Sequence, residues 1–297
     1  MAEHSVVVTG ASRGLGLATA AHLHRRGWTV LAAMRSPGEG RKRLQALTGA
    51  REGDPRLVAL RLDLDDPESI TQAAAAIGGA VGSPDAVVHV AGVAGVGTLE
   101  EMPQPVWEQI FSTNLWGPVR LTRELLPAMR AAGHGRIVMV SSQGAIRGMP
   151  GIGAYSAAKG ALERWSESLS QEVSPFGIGV TVLVTGTFKT DILELTPTYA
   201  DPAGPYGPLH EPLERNGRRF IRFAGPPERF AEAVAKALED RRPFVRRGVG
   251  IDARLLMLGG RLLPSGLLQA IVGRALGLPR PDSLSPGAPP PATSSRG

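Results

Sequence analysis

Two residues of this sequence are spaced so that they could move a proton together. Tyr155 and Lys159 lie four positions apart in a segment with helical periodicity, so both side chains are expected on one face of a helix. A free tyrosine, with a pKa of about 10, ionises poorly at neutral pH, and an adjacent ammonium would lower that pKa. The Tyr-x3-Lys spacing also arises by chance, and Tyr155 alone is compatible with an ordinary aromatic on a helix face.

Two polar residues upstream could complete such a site. Ser142 follows a β-rich run, thirteen positions before Tyr155, and Asn114 lies in a helical stretch between about 104 and 132. A hydroxyl beside a carbonyl helps to stabilise charge that develops on the carbonyl oxygen. Taken singly, Ser142 could be a turn serine and Asn114 a polar residue that bends its helix. The spacing selects Ser142 over the neighbouring Ser141.

A glycine-rich turn follows the first β-rich run of the chain. Residues 9–16 read Thr-Gly-Ala-Ser-Arg-Gly-Leu-Gly. Glycines let the backbone turn sharply and approach a pyrophosphate, and a helix that begins there presents free N–H groups and the positive end of its dipole. The turn therefore predicts a dinucleotide site, although a purely structural β–α connection could also use such a turn.

These residues must be positioned by the strands and helices around them. Val-, Ile- and Leu-rich runs alternate with helical patterns, and the runs are nearly continuous in apolar residues, as is typical of parallel strands buried on both faces. Such strands need crossover helices, so the sequence predicts an α/β fold with a Rossmann-type, doubly wound parallel sheet. The predicted strands cover residues 5–9, 28–33, 57–62, 85–90, 136–141, 178–184 and 244–246. The predicted helices lie near residues 14–26, 67–77, 104–132, 154–174 and 226–240.

The organisation of the chain follows from its composition. Residues 1–250 are expected to form one catalytic domain, within which the Pro-, Gly- and Tyr-rich segment 187–226 is interpreted as a substrate lid. Residues 251–278 are Leu-rich with helical spacing and a break at 264–266, which predicts two short amphipathic helices. The Pro-, Ser-, Ala- and Gly-rich residues 279–297 are expected to be a disordered tail.

The glycine turn and the four chemical residues, in this order, resemble the short-chain dehydrogenase/reductase family, whose first turn reads TGxxxGxG and which carries YxxxK. The resemblance covers roughly residues 4–250. It implies an oxidoreductase that interconverts an alcohol and a carbonyl, with a hydride carried by a nicotinamide and a proton by Tyr155. It also implies that Ser142 hydrogen-bonds the substrate oxygen and that Asn114 holds a water in a proton relay to Lys159. Within the family, the single tetrad and the long lid are similar to 17β-hydroxysteroid and retinol dehydrogenases.

The resemblance also implies a set of cofactor contacts. Asp63 would accept a hydrogen bond from the adenine amine, with Leu64 packing nearby, and Asp65 and Asp66 are expected to start and cap the next helix. The family's usual NNAG stands here as His-Val-Ala-Gly, and His89 is expected to be a packed or hydrogen-bonded strand residue. The residues assigned to the cofactor are Thr9, Gly10, Ser12, Arg13, Gly14, Leu15, Gly16, Arg35, Asp63, Leu64, Ala91, Gly92, Asn114, Tyr155, Lys159, Gly186 and Thr190.

The choice of cofactor is predicted from the end of the second strand. An acid there would bind the ribose 2′-hydroxyl of NAD, whereas a cation would pair with the 2′-phosphate of NADP. The sequence has Arg35 and no acid before Glu39, and Arg13 stands in the glycine turn. An arginine fork suits a phosphate, so NADP(H) is expected over NAD(H). The alternative is that both are ordinary surface arginines. No metal site is expected.

The overall composition bears on partners and location. The sequence pI is about 10.3, but the basic excess is concentrated in residues 241–280, where eight arginines face one acid, Asp252. No basic stripe interleaved with aromatics is present, so nucleic acid is not an expected partner. The chain has no cysteine, which suits the cytoplasm, and its first residues do not read as a signal peptide.

Two interpretations of residues 251–278 remain open. Both helices could pack on the domain or on a partner subunit and close the substrate cleft, or part of their apolar face could contact an anionic membrane surface. Either interpretation, together with Phe188, Tyr199 and Tyr206 in the lid, predicts a bulky, apolar substrate. The family resemblance also implies a homo-oligomer built through the Asn114 and Tyr155 helices.

Two other functions use related sequence features. A sugar-nucleotide epimerase or dehydratase also carries YxxxK, but it typically has TGxxGxxG in place of the glycine spacing found here. A regulatory or scaffold protein on the same fold would usually show erosion of the glycines or of the tetrad, and neither is eroded in this sequence.

Overall fold

A single sheet of seven parallel strands forms the centre of the protein, as the sequence predicts. The structure is a computed structural model that describes residues 4–190, 195–222, 224–280 and 283–284. The strand order is β3-β2-β1-β4-β5-β6-β7, and every paired strand is parallel to its neighbour. The strands are β1 Ser5–Thr9, β2 Thr29–Met34, β3 Leu57–Arg61, β4 Ala86–His89, β5 Gly135–Ser142, β6 Ile178–Thr185 and β7 Phe244–Val249. This is the doubly wound arrangement of a Rossmann-type fold.

Helices connect successive strands and cover both faces of the sheet. They are α1 Gly14–Arg25, α2 Pro37–Thr48, α3 Pro67–Val81, α4 Gln104–Phe111, α5 Gly117–Ala132, α6 Gln143–Ile146, α7 Gly153–Val173, α8 Gly207–Ile221, α9 Pro227–Leu238, α10 Ile251–Leu262 and α11 Ser265–Leu276. The long helix expected over 104–132 is interrupted by one π-helical turn, Ser112–Trp116, which joins α4 to α5. Helix α2 was not predicted, because only its Gly40 and Leu44 are buried and it therefore lacks a clear apolar stripe.

The core has two layers because neighbouring strand residues point to opposite faces of the sheet. Val7 belongs to the layer that α3, α5 and α7 cover, whereas Val6 and Val8 belong to the layer under α1, α2 and α9. Both faces are therefore buried, which explains why the strands read as continuous apolar runs rather than as alternating ones.

The strand order reverses between β1 and β4, and this point fixes where a site can form. Strand β1 is followed in space by β2 and β3 on one side and by β4 to β7 on the other. In open α/β sheets, ligands bind at the carboxyl ends of the strands beside such a reversal. The ends of β1, β4, β5 and β6 carry the glycine turn, the Ala-Gly pair, Ser142 and Gly186 respectively, so one edge of the sheet collects these predicted residues.

The segment after β6 is more regular than predicted. Residues 187–226 were interpreted as a loop-like lid, but they contain the fifteen-residue helix α8. The two C-terminal helices form as expected, with Pro264 between them. Most of the predicted tail, 281–282 and 285–297, lies outside the described residues. No helix in the described ranges is long and apolar enough to cross a membrane.

Candidate active site

Strand β5 and helix α7 bring three of the four predicted chemical residues together. Ser142 is the last residue of β5, and its hydroxyl accepts a hydrogen bond from the Gly144 backbone N–H at 3.2 Å, which caps α6. Tyr155 lies in the first turn of α7, and its hydroxyl is hydrogen-bonded to Ser142. Lys159 follows one turn later, with its ammonium nitrogen 5.8 Å from the centre of the Tyr155 ring. The predicted shared helix face is confirmed.

The pKa of Tyr155 moves opposite to the direction expected from the sequence. Burial raises the pKa of Tyr155, and the hydrogen bond with Ser142 offsets only part of that rise. The prediction that Lys159 lowers it is therefore wrong for this structure. The Lys159 ammonium, which is buried, instead donates to the Val140 carbonyl oxygen at 2.9 Å and lies 5.8 Å from the centre of the Tyr155 ring. Burial lowers the pKa of Lys159 to about 8.

Asn114 is completely buried in the π-helical turn. Its side-chain amide donates to the carbonyl oxygens of Val93 and Ile110, at 2.8 and 2.9 Å, and its carbonyl oxygen accepts from the Val93 backbone N–H at 3.2 Å. Both amide hydrogens are therefore committed to the main chain. In this structure the side chain of Asn114 holds the segment after β4 in place beside Lys159.

The side chains of Asn114 and Lys159 both lie next to Gly92. A Cβ added at Gly92 would lie 2.7 Å from the side-chain oxygen of Asn114 and 3.6 Å from the ammonium nitrogen of Lys159. Any side chain at this position would displace one of the two. The structure therefore brings all four predicted tetrad residues to the same edge of the sheet, beside a backbone surface that only glycine leaves open.

The glycine turn is built for close backbone approach. Gly10 has a positive φ of 68°, and a Cβ there would lie 2.9 Å from the Cα of Ala91. A Cβ at Gly16 would lie 2.2 Å from the Gly10 carbonyl oxygen. Thr9 holds the two loops together, because its hydroxyl accepts hydrogen bonds from the backbone N–H groups of Val90 and Ala91, both at 3.1 Å. Helix α1 begins at Gly14, directly after this turn.

The two predicted phosphate cations lie at the rim of the same edge. Arg13 and Arg35 are exposed, and neither side chain forms an ion pair with a residue in the described ranges. A third cation lies nearby, since Arg43 of α2 donates to the Ser12 carbonyl oxygen at 3.4 Å. Sequence reasoning missed Arg43 because α2 itself was not predicted.

The residues after β3 that were predicted to lie near the adenine differ in their burial and hydrogen bonds. One carboxylate oxygen of Asp63 accepts from the Asp65 backbone N–H at 3.1 Å, and the other oxygen has no hydrogen-bond partner among the described residues. Leu64 is buried in the core against Gly117 of α5. Asp66 caps α3 by accepting from the Glu68 N–H, which confirms the predicted cap. Asp65 instead accepts from the Thr113 hydroxyl.

The expectation for His89 is also confirmed. Its side chain is buried at the end of β4, and its Nε2 atom is hydrogen-bonded to the Thr122 hydroxyl at 2.9 Å. Burial lowers the pKa of His89 to about 3, with a smaller contribution from the charge of Lys159. A neutral, packed histidine fills the place where the family usually has an asparagine.

The segment after β6 lies beside the predicted cofactor site. Thr190 packs beside the glycine turn, because a Cβ at Gly14 would lie 3.4 Å from its methyl group. Thr185, the last residue of β6, donates its hydroxyl to the Ser141 carbonyl oxygen at 2.7 Å, which ties the end of β6 to β5.

Asp252 is a residue of this site that the sequence did not reveal. Its carboxylate accepts from the Thr187 backbone N–H at 2.7 Å, and a Cβ at Gly186 would lie 1.8 Å from the other carboxylate oxygen. Gly186 is therefore required for Asp252 to approach. The two partners are 65 positions apart and no motif connects them, so no local signal could have identified the contact.

The lid segment separates into a core part and a cleft part. Phe188 is buried and packs edge-on against Phe230 with ring centres 5.8 Å apart, so it does not line a cleft as the sequence suggested. Tyr199 packs beside Met102 and Tyr155 in a small apolar cluster. Tyr206 is hydrogen-bonded to Glu100 instead.

Glu101 fastens the lid segment to the loop after β4. Its carboxylate accepts from the backbone N–H groups of Thr98 and Asp201, both at 3.0 Å, and is hydrogen-bonded to His210 Nε2 at 2.7 Å. Although burial opposes the shift, these hydrogen bonds together lower the pKa of Glu101 to about 2. This segment is therefore held by an ionised carboxylate over the whole pH range in which enzymes usually work.

Comparison with known proteins agrees with this arrangement. Residues 4–199 match the short chain dehydrogenase family. The oxidoreductase YbbO of Escherichia coli strain K12, described as uncharacterized, is 34% identical over 276 residues, which cover 91% of this chain and 94% of the relative. Retinol dehydrogenase 8 of Bos taurus is 31% identical over 280 residues, which cover 90% and 88%. A crystal structure of a short-chain dehydrogenase from Streptomyces avermitilis superposes with a TM-score of 0.75 at 33% identity, over 92% of this chain and 94% of that one.

Proposed function

The chain belongs to the short chain dehydrogenase family and is an oxidoreductase of that family, and from this premise we propose that it interconverts an alcohol and a carbonyl with NADP(H) as its cofactor. The observation that carries the proposal is the convergence of Ser142, Tyr155, Lys159 and Asn114 beside the open backbone at Gly92. Separately, each residue has an ordinary structural explanation. Together they form an acid, a hydroxyl and a buried cation at one edge of the sheet.

The backbone of the glycine turn fits a dinucleotide. Gly10, Gly16 and Gly92 each lie where a Cβ would collide with neighbouring atoms, so the surface is bare main chain, and the N-terminus of α1 points its free N–H groups there. The cofactor would be held by this turn, by Asp63, by Ala91 and Gly92, and by Gly186 and Thr190. When bound, the nicotinamide supplies or accepts the hydride at the carbonyl carbon.

The proton is the part of the reaction that the protein's own residues perform. Since burial raises the pKa of Tyr155, the phenol is protonated at neutral pH and can donate to the oxygen of a carbonyl that is being reduced. The Ser142 hydroxyl, already paired with Tyr155, is placed to share that oxygen. With a pKa of about 8, Lys159 is mostly charged at pH 7, so a buried cation lies one helical turn from Tyr155 while the proton is transferred.

The preference for NADP(H) rests on the free arginines at the rim. Arg35 directly follows β2, where an acid would favour the unphosphorylated cofactor, and Arg13 lies in the glycine turn. Both are exposed and lack an acidic partner in the described ranges, so both can pair with a phosphate. The contact between Arg43 and Ser12 adds a third cation close to the same turn.

The substrate is proposed to be bulky and apolar. Buried Met102 and Ile110 and partly buried Trp107 and Tyr199 form one cluster with Tyr155, so the surroundings of the reacting hydroxyl are aliphatic and aromatic. A relative that is named for retinol has 31% identity across most of this chain. Both observations favour a lipophilic carbonyl or alcohol over a polar metabolite. We propose in addition that the protein works as a homo-oligomer in the cytoplasm.

The proposal is tested by following NADPH absorbance in the near ultraviolet while steroid, retinoid, fatty aldehyde and small quinone carbonyls are added, with NADH run in parallel. We expect oxidation of NADPH with at least one long apolar carbonyl, faster than with NADH at equal concentration, and slower by about 10² to 10⁴ with Tyr155→Phe. Tight binding of NADPH without turnover across the whole panel would identify a cofactor-binding regulatory protein instead.

A further inference from the structure

Helix α10 carries its apolar residues on the side that faces away from the protein. Ala253 is buried and Met257 packs against the core, so these residues mark the inward side of the helix. The opposite side is an aliphatic stripe with a spacing of four, three and four residues. Its members are Ile251, Leu255, Leu258 and Leu262, which are 74%, 63%, 53% and 68% exposed.

Helix α11 also exposes aliphatic side chains. Leu268 is buried between the two helices and their neighbours, whereas Leu267 and Ile271, on another side of α11, are about half exposed. We call these six exposed residues of α10 and α11 the aliphatic face. A surface helix ordinarily places its polar residues toward solvent, so an apolar outward side marks a surface that binds something.

The exposed charges within residues 251–280 are all positive. Arg254, Arg261, Arg274 and Arg280 are exposed, and none of them forms an ion pair with a residue that the structure describes. The one acid between 251 and 280 is Asp252, whose carboxylate is turned inward to the Thr187 N–H. The face therefore combines aliphatic side chains with cations that no acid neutralises.

This combination favours one occupant over two others. In a two-fold dimer through this face, the same arginines would meet each other across the interface, which is unfavourable without acids between them. The chain's own last residues, 285–297, contain no large apolar side chain with which to cover it. A bilayer with anionic headgroups offers both an acyl boundary for the leucines and negative charge for the arginines.

We propose that the aliphatic face binds the surface of an anionic lipid bilayer, with α10 lying in the plane of the interface. At twelve residues the helix is about 18 Å long, which is too short to span a hydrocarbon core of about 30 Å but suited to lying along its surface. Binding does not depend on the proposed reaction, because neither substrate nor turnover is needed to observe it.

The test is flotation of the full chain with vesicles of phosphatidylcholine alone or mixed with phosphatidylglycerol. The main variant is Leu255→Ser/Leu258→Ser/Leu262→Ser, in which every changed side chain is already exposed, so its melting temperature is expected to stay close to that of the wild type. Leu47→Ser, at an exposed leucine of α2, is the matched control. Arg261→Glu separates the charge contribution from the apolar one. Sedimentation velocity of each variant, without lipid, gives its oligomeric state.

We expect the wild type and Leu47→Ser to float with anionic vesicles and not with neutral ones. Raising salt from about 0.1 M to about 1 M should release them, because screening then acts over about 3 Å. The triple variant should lose at least about tenfold in binding, and Arg261→Glu should lose several-fold. The proposal is overturned if the wild type fails to bind anionic vesicles, if the triple variant binds as well as the wild type, or if the triple substitution dissociates an oligomer while no form of the protein binds lipid.

Discussion

We call the sheet edge that carries Ser142, Tyr155 and Lys159 the catalytic edge. This edge and the C-terminal helices depart in opposite ways from the usual distribution of side chains in a folded protein. Beside β5 and α7, a lysine and an asparagine are buried, and their side-chain hydrogen bonds are made to the main chain. In α10 and α11, leucines and isoleucines are exposed. Ordinary folding places polar groups outside and large apolar groups inside, and the informative sites are those that break this rule.

The difference shows what each region is arranged to meet. Burying an ammonium has a free-energy cost, and the protein bears it where a charge is needed in a dry place. Exposing an aliphatic stripe has a cost in solubility, and the stripe persists where another apolar phase can cover it. The buried polar groups of the catalytic edge are hydrogen-bonded within the protein, whereas the exposed aliphatic side chains of α10 and α11 need a partner to cover them. Changing one residue of one region at a time tests whether this contrast holds.

The largest effect is expected at the catalytic edge, from Tyr155→Phe. The substitution keeps the packed ring and removes only the hydroxyl, so kcat should fall by about 10² to 10⁴, the usual contribution of a positioned acid–base group. Affinity for NADPH and the melting temperature should stay close to wild type. Ser168→Ala, at an exposed serine on the same helix, is the control and should be fully active. A folded Tyr155→Phe protein with near-normal kcat would remove Tyr155 from the reaction.

The second prediction concerns the exposed rim of the same edge. Arg35→Asp should weaken NADPH binding by about one to two decades, because a charge-assisted pair with phosphate contributes roughly 1.5–3 kcal/mol. NADH should bind equally well or more tightly to this variant. Titration of each cofactor against wild type, Arg35→Asp and the remote control Arg51→Asp measures the effect. Equal losses of affinity for both cofactors, or equal affinities of the wild type for both, would show that Arg35 does not bind the 2′-phosphate.

The third prediction tests whether burial of Lys159 is costly. The folded state lowers its pKa to about 8, so the unfolded chain holds the proton up to about pH 10.5 while the folded chain releases it earlier. At pH 7 both states are charged and the full cost is present, so Lys159→Met should abolish activity yet stabilise the fold by about 2 kcal/mol, or a few degrees in melting temperature.

The pH dependence gives this prediction its internal check. Between pH 8 and 10.5 the unfolded wild type binds more protons than the folded one, so the stability contributed by Lys159 rises with pH and the advantage of Lys159→Met should shrink. Melting temperatures at pH 7 and pH 10 measure it, with the exposed Lys236→Met as a control that should change nothing. An advantage of Lys159→Met that grows with pH would contradict the assigned cause.

The smallest effect is expected at Asp252, through which α10 contacts the segment after β6. Asp252→Asn keeps the size of the side chain but removes the charge that binds the Thr187 N–H, so cofactor affinity should fall about three- to tenfold, near 1 kcal/mol. Asp54→Asn, at a carboxylate in the connection before β3, is the control. If Asp252→Asn binds cofactor like the wild type, the first turn of α10 has no part in positioning the segment after β6.

The sequence predicted the parts of the site that depend on local spacing. Tyr155 and Lys159 lie one helical turn apart, and the glycines of the first turn lie within seven positions, so their geometry follows from the chain itself. The parallel sheet was predictable because strands buried on both faces must be continuously apolar. That sheet then determines which strand ends share an edge, and Ser142 and Gly92 are placed by it.

The sequence could not predict quantities that arise only from packing. The pKa of Tyr155 depends on how deeply the completed fold buries it, and burial outweighs the cation that the sequence pattern emphasised. The contact of Asp252 with Thr187 joins positions that share no motif. Phe188 and Tyr199 are both aromatic residues of one segment, yet Phe188 packs into the core layer under α1 and α9 whereas Tyr199 belongs to the separate cluster that contains Tyr155.

The bond between Asp252 and Thr187 also provides a natural reporter. The Thr187 amide proton is donated to a carboxylate on α10, and the neighbouring Gly186 N–H is donated to the Val249 carbonyl oxygen at 2.8 Å. Amide protons held in this way exchange with deuterium only when the structure around them opens. The exchange rate at Thr187 therefore measures how often the first turn of α10 parts from the segment that borders the proposed cofactor site, one proton at a time and without any substitution.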